Sequence, residues 1–220
     1  MKYHMKNLLI VLMASFQVAC QNSSAKTVEN LASAADSKEI SDPIVPNSVA
    51  YFASGCFWCV EAVFESVKGV AEAESGYSGG KIVNPSYELI CTGKTRHAEA
   101  VKVYYDSNLV SYSTLLTVFF DSHDPSTLNQ QGPDRGPQYR SMIFYQNDKE
   151  KGLAENYTTN ALLKKEFSKI TTEVVPYDIF YIAEEYHQDY ERLNPNQGYV
   201  QSVSVPRLNR FKAKHPELLK

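Results

Sequence analysis

The sequence predicts an α+β fold: a two-layer α/β sandwich with a mixed sheet, a ferredoxin-like core and a long irregular C-terminal tail. Three observations lead there. Strand-like and helix-like segments alternate through residues 49–167. Residues 70–106 hold two strands with no full helix between them, which argues against a doubly wound parallel sheet. From Glu185 onward no clear period is visible, and Pro195 and Pro206 interrupt the chain.

Element by element, Val49-Ala50-Tyr51-Phe52-Ala53 reads as a buried strand that Gly55 ends. Residues 56–68 read as a helix, with Phe57, Val60, Val63, Phe64 and Val67 at helical spacing. Residues 70–77 suit a second strand, closed by Gly79-Gly80. Asn84-Pro85-Ser86 opens a short helical turn at Tyr87. Residues 97–106 alternate apolar and polar and read as a strand, and residues 112–121 return to helical spacing. Residues 124–137 form a long Gly/Pro/Asn/Gln-rich loop, a kind of segment that is often functional. Residues 139–146 read as a strand, 149–167 as a helix, and 171–175 and 180–182 as further strand segments.

The 220 residues are 43% hydrophobic and 21% charged, the balance of a globular chain rather than a disordered or multi-span one. A net charge of −3 gives no broad attraction to nucleic acid. Four cysteines are too few for a disulfide-dense scaffold. Fifteen tyrosines are about twice the expected share, and their apolar rings with polar tips suit a pocket lining as well as a core.

The N-terminus reads as an address. Lys2 and Lys6 precede an apolar run of nine residues, 8–16, too short to span a bilayer but right for a signal peptide. Val18-Ala19-Cys20 resembles a bacterial lipoprotein cleavage site, although Gln17 stands where that pattern usually has Leu. Residues 1–19 are therefore expected to be a lipoprotein-type signal peptide, with Cys20 the lipidated first mature residue. Plain secretion and an uncleaved anchor are the alternatives. Residues 20–47 lack aromatics, carry Pro43 and Pro46, and read as a disordered tether. The folded domain is then 48–220.

Gly55-Cys56-Phe57-Trp58-Cys59 is the most informative stretch. It sits at a strand-to-helix junction, where free N–H groups and the helix dipole favour an anion. The Cys56 thiol is therefore expected to be lowered. Cys59 lies one helical turn on, close enough for the two sulfurs to meet. Phe57 and Trp58 are costly beside a thiol unless they line an apolar pocket. Two buried structural thiols remain possible on this local evidence, as does a zinc site completed by Cys91 and His97. Covalent haem attachment is excluded, because Val60 follows the second cysteine.

This motif resembles the active-site signature of the peptide methionine sulfoxide reductase A family. The resemblance extends over about 49–210. It includes Gly76-Tyr77-Ser78-Gly79-Gly80, Tyr87, the segment 93–100 around Glu99, His123-Asp124-Pro125, the loop 131–141 and Glu185-Tyr186-His187-Gln188. It implies reduction of methionine S-sulfoxide, free or in proteins, by two thiols and without a prosthetic cofactor. Cys56 is the implied nucleophile and Glu99 the acid. Tyr87 and Tyr139 are the implied phenols on the sulfoxide oxygen, and Phe57 and Trp58 the walls around the S-methyl group. Asp134 matches a position that contacts the substrate backbone or orders its loop. His97, His123 and His187 are expected to be structural, and Arg140 to pair with a carboxylate.

Many relatives place resolving cysteines in a C-terminal tail; this chain has none after Cys91. The resolving thiol is then Cys59, favoured by proximity, or Cys91, or an external thiol. A thioredoxin-like protein in the cell envelope is the expected electron donor, and the chain is expected to act as a monomer. The competing readings are a tethered thiol–disulfide exchange protein and a non-catalytic metal-binding or partner-binding lipoprotein.

Overall fold

The computed structural model describes residues 43–220; the segments read as a signal peptide, the lipidated Cys20 and the tether up to residue 42 lie outside the described residues. Strand β1 (Ser48–Ser54) runs into helix α1 (Phe57–Glu65), strand β2 (Val70–Ser78), the short helix α2 (Tyr87–Cys91) and strand β3 (Ala98–Tyr105). Helix α3 (Tyr112–Asp121) follows, then a small ribbon of β4 (Gln130–Gln131) and β5 (Asp134–Arg135), and a 3₁₀ turn at Pro137–Tyr139. Next come β6 (Ser141–Tyr145), α4 (Asp148–Leu163), β7 (Glu173–Pro176), β8 (Phe180–Ile182), α5 (Tyr190–Leu193) and α6 (Val205–Lys214).

Six strands form one sheet in the order β7-β6-β1-β3-β2-β8. The β6–β7 pair is parallel and the other pairs are antiparallel, so the sheet is mixed. The apolar run of β1 is continuous because the strand is central, with covered side chains on both faces. On one face Ala50 and Phe52 join the main core with residues of α1, α3, α4 and α6. Phe52 stacks on Phe64 of α1 with ring centroids 5.0 Å apart. On the other face Tyr51 and Ala53 meet Met142 and Phe144, and Tyr51 stacks on Tyr177 at 4.1 Å. Helices cover one face and the chain after β7 covers the other, which is the α+β arrangement expected.

Several boundaries moved for local reasons. Helix α1 stops at Glu65 rather than 68: the Ser66 hydroxyl donates to the Val63 carbonyl, and Lys68 N–H bonds the Leu218 carbonyl of the chain end. Ser111 and Asn147 cap α3 and α4 by accepting from Thr114 and Glu150 N–H at 3.0 Å each. Tyr139 lies in the 3₁₀ turn and not in the strand that follows it.

The expected irregular C-terminal tail is corrected. Residues 190–193 and 200–214 are helical, starting the second stretch with a wide π-type turn at Val200–Ser204. Pro206 does not break α6, because it occupies the first turn, where the missing N–H matters least. The helical period was hidden because one buried position is Arg207, a residue that does not read as apolar.

Candidate active site

Cys56 occupies the N-cap position of α1, directly after Gly55. Gly55 adopts φ +94, and a Cβ there would lie 2.6 Å from the Gln131 side chain, so only glycine lets β1 turn into α1 under the loop. Cys56 is 6% exposed and Cys59 is 2% exposed; both are free thiols.

Glu99 stands on β3 opposite Tyr77 of β2 and is 2% exposed. Its Oε2 accepts the Phe57 N–H at 3.1 Å. Burial pushes its carboxyl up to about 8 against the opposing pull of that N–H, with the Asp134 and Cys59 charges adding to the rise. At neutral pH it carries a proton. Tyr87 comes from α2 and Tyr139 from the 3₁₀ turn, and burial, with Glu99 nearby, raises both phenols.

These groups meet in a cavity of about 250 Å³. Cys56, Phe57, Trp58, Tyr87, Glu99, Tyr139 and Asp134 all line it, so five separate stretches of the chain converge there. Trp58 is held by stacking on Tyr190 at 3.7 Å, and its indole N–H donates to His187 Nδ1 at 3.1 Å. Cys59 does not line this cavity. It opens on a separate one of about 170 Å³, with Asp134, Tyr199 and Arg207 among its walls.

The expectation of a lowered Cys56 thiol is overturned. Burial raises it first, followed by the neighbouring Cys59. The Phe57 N–H at the helix start, a donor of the kind that would stabilise a thiolate, is already given to Glu99. Cys59 is the lowered thiol of the pair. Its bond with Cys56 lowers it most, burial opposes this, and Arg207, Ser204 and Tyr199 add to the lowering.

Three residues passed over as site residues belong here. Tyr199 donates to Asp134 Oδ2 at 2.5 Å and stands 3.9 Å from Cys59 Sγ, walling one cavity from the other. Gln197 lines the larger cavity. Glu184 accepts the Tyr87 N–H at 2.9 Å and the Tyr77 hydroxyl at 2.7 Å, fixing the start of α2. Only the excess of tyrosine hinted at the first, and nothing local marked the others.

The histidines have structural partners. His97 bonds Gly80 N–H at 3.1 Å and the Ile82 carbonyl at 2.9 Å, which removes it from the zinc reading. His123 sits between the Phe119 carbonyl and the Ser141 hydroxyl, and burial, aided by Arg207, drives it down to about 3. Arg140 pairs with Glu173 at 3.3 Å. Cys91 is exposed. Among the described residues, Glu61, Glu65 and Asp189 form the one group spaced for a metal ion.

A buried thiol pair next to a proton-bearing carboxyl, with phenols and aromatic walls around a small cavity, defines a thiol-dependent oxidoreductase that acts on a small apolar group. The family model described as peptide methionine sulfoxide reductase matches residues 48–218. The chain is 52% identical over 163 residues to peptide methionine sulfoxide reductase MsrA 1 of Rhodopirellula baltica, covering 74% of this chain and 84% of that protein. It is 48% identical over 171 residues to MsrA of Acinetobacter baumannii, covering 78% and 98%. Among solved structures, Mxr1 of Saccharomyces cerevisiae in its reduced form superposes with a TM-score of 0.64 at 33% identity, covering 68% of this chain and 87% of that one. Methionine sulfoxide reductase A of Corynebacterium diphtheriae gives 0.61 at 33%, covering 68% and 76%. The chain belongs to the peptide methionine sulfoxide reductase family. Its activity is the reduction of methionine sulfoxide.

Proposed function

We propose that the cavity takes the S epimer of methionine sulfoxide, with Cys56 as nucleophile, Glu99 as acid and Cys59 as the resolving thiol. The observation that carries this reading is the convergence of Cys56, the protonated Glu99, Tyr87 and Tyr139 on one small cavity. Cys56 sulfur bonds to the sulfoxide sulfur as the S–O bond breaks. Tyr87 and Tyr139 donate to the oxygen while Glu99 protonates it. The released hydroxide attacks the Cys56 sulfur, the S–S bond breaks with its electron pair going to the departing methionine, and Cys56 is left as a sulfenic acid. The proton that Cys56 loses replaces the one Glu99 gave. Phe57 and Trp58 hold the S-methyl group, and Asp134, bonded to Tyr199, orders the loop at the cavity mouth.

The lowered Cys59 thiol supports the next step. As a thiolate it attacks the Cys56 sulfur, the S–OH bond breaks, and hydroxide takes a proton to leave as water. A dithiol donor of thioredoxin type then reduces the Cys56–Cys59 disulfide with two electrons. No prosthetic group is needed. We further propose that the chain is a monomeric lipoprotein of the bacterial cell envelope, anchored through Cys20 and repairing oxidised methionines on neighbouring proteins. Mass analysis of the mature N-terminus tests that: a diacylglyceryl Cys20 is expected, and an unmodified N-terminus at another residue would sink it.

The catalytic reading is tested by single turnover of the reduced domain 48–220 with each epimer. One methionine per enzyme from the S epimer, with a Cys56–Cys59 bridge in the mass spectrum, is expected. No methionine from either epimer would overturn the site assignment and favour the thiol–disulfide exchange reading.

A further inference from the structure

A second cavity lies beside the catalytic one and takes no part in the reaction just described. It is a groove of about 440 Å³. The two share walls: Pro137 faces the groove while Tyr139, in the same 3₁₀ turn, faces the catalytic cavity. Likewise Gly93 faces the groove, just after α2, whose Tyr87 faces the catalytic cavity. A Cβ on Gly93 would stand 3.1 Å from the Pro137 ring, so these two walls meet at the groove floor.

The groove is cationic in a chain whose net charge is −3. Lys81, Arg96 and Arg140 line it against a single carboxylate, Glu173, which is paired with Arg140 at 3.3 Å. Lys81 and Arg96 are exposed and have no ion-pair partner among the described residues. Arg140 is fixed: it donates to the Pro137 and Arg96 carbonyls at 2.9 Å each. Its guanidinium has further N–H donors beyond these. Gly79 keeps its approach open, since a Cβ there would lie 3.2 Å from Arg140 Nη2. A rigid arginine with two unpaired cations at the rim is the chemistry that recognises a carboxylate.

We propose that this groove is a subsite for the substrate polypeptide, binding the side-chain carboxylate of an Asp or Glu near the oxidised methionine. This rests on the reading of the neighbouring cavity as the methionine sulfoxide site. The acidic residue stands only a few positions from the methionine, because the groove and the catalytic cavity share the Pro137–Tyr139 turn as a wall. The groove thus selects among oxidised proteins, favouring methionines in acidic segments, and contributes nothing to the chemistry.

The test compares acetylated and amidated peptides holding one methionine S-sulfoxide, with two Glu, two Gln or two Lys three and four residues away on either side. The Glu peptide is expected to show a kcat/KM about three- to tenfold above the Gln peptide at low salt, through KM, as for a few exposed ion pairs. The advantage is expected to fade near 0.5 M salt. The K81Q/R96Q variant should erase the preference, and K81E/R96E should turn it toward the Lys peptide. Equal rates on all peptides, or a Glu preference that survives K81Q/R96Q, would overturn the proposal. A gain seen only with a free C-terminal carboxylate would overturn the assignment to a side chain. N-acetyl-methionine S-sulfoxide amide, too short to reach the groove, should be reduced equally by wild type and variants. Failure of the wild type on that small substrate would instead sink the reading of the catalytic cavity, and the subsite with it.

Discussion

Cys56 and Cys59 stand one turn apart on α1, yet they belong to two different neighbourhoods. The Cys56 side is built by β3, α2 and the Pro137–Tyr139 turn, and it is aromatic and acidic. The Cys59 side is built by the β4–β5 ribbon and the C-terminal helical segment, and it brings Arg207, Ser204 and Tyr199. Burial and contact with Cys59 raise the Cys56 thiol, whereas contact with Cys56 lowers Cys59 most, with Arg207, Ser204 and Tyr199 adding to the lowering. Contact between the two sulfurs, together with their different surroundings, makes two identical side chains unequal. The inequality suits a division of labour: one sulfur takes oxygen beside an acid, and the other waits as a ready thiolate.

The largest effect that tests this comparison is Cys56→Ser. It should lower kcat/KM on methionine S-sulfoxide by roughly 10⁴-fold or more, since nothing replaces the nucleophile. Substantial single-turnover methionine from that variant would mean that the two sulfurs are interchangeable. Next, Glu99→Gln should cost about 100-fold, the usual worth of a positioned acid. The wild-type rate should also fall as pH rises through about 8, where Glu99 loses its proton. Glu99→Gln should lose that limb of the profile, and a limb that persists would assign it to another group.

Cys59→Ser probes the other side. The first methionine should form at close to the wild-type rate, while steady turnover with a dithiol protein donor drops about tenfold. A sulfenic acid should then persist on Cys56 in the mass spectrum. If a bridge to Cys91 appears instead, the resolving role moves there.

The smallest effect concerns Glu61, on α1 beyond both sulfurs. It accepts the Asp189 N–H and the Ser75 hydroxyl, and burial raises its carboxyl to about 8. A folded value above the unfolded one means the protonated form stabilises the fold fully below about 4.5, and this is lost as pH rises toward 8. Glu61→Gln mimics the protonated acid. It should leave thermal stability unchanged near pH 5 and raise Tm by roughly 2–4 °C at pH 8. A lower Tm at pH 8 would show that the charge itself is needed there.

Much of this was legible in the sequence because the signals were local. The strand, glycine and cysteine order at 54–59 announces a thiol at a helix start, and α3 was placed at its observed bounds. Glu99 stood out as a carboxyl in an apolar strand. Less legible was α6, whose buried face is partly an arginine. Arg207 donates to the Ser122 carbonyl at 2.7 Å and to the Ser54 carbonyl and hydroxyl at 3.0 Å each, so it is buried by virtue of partners far away in sequence.

The sequence by itself determined the class of fold, the thiol motif and most of the residues that line the Cys56 cavity, because periodicity, glycine and the matched segments are properties of short stretches of chain. Only the tertiary structure decided which thiol holds its proton, that Cys59 opens on a cavity of its own, and that Lys81, Arg96 and Arg140 share a groove. Those are electrostatic outcomes. They depend on burial and on charges brought close by the sheet order and the C-terminal helix, and no local pattern encodes such distances.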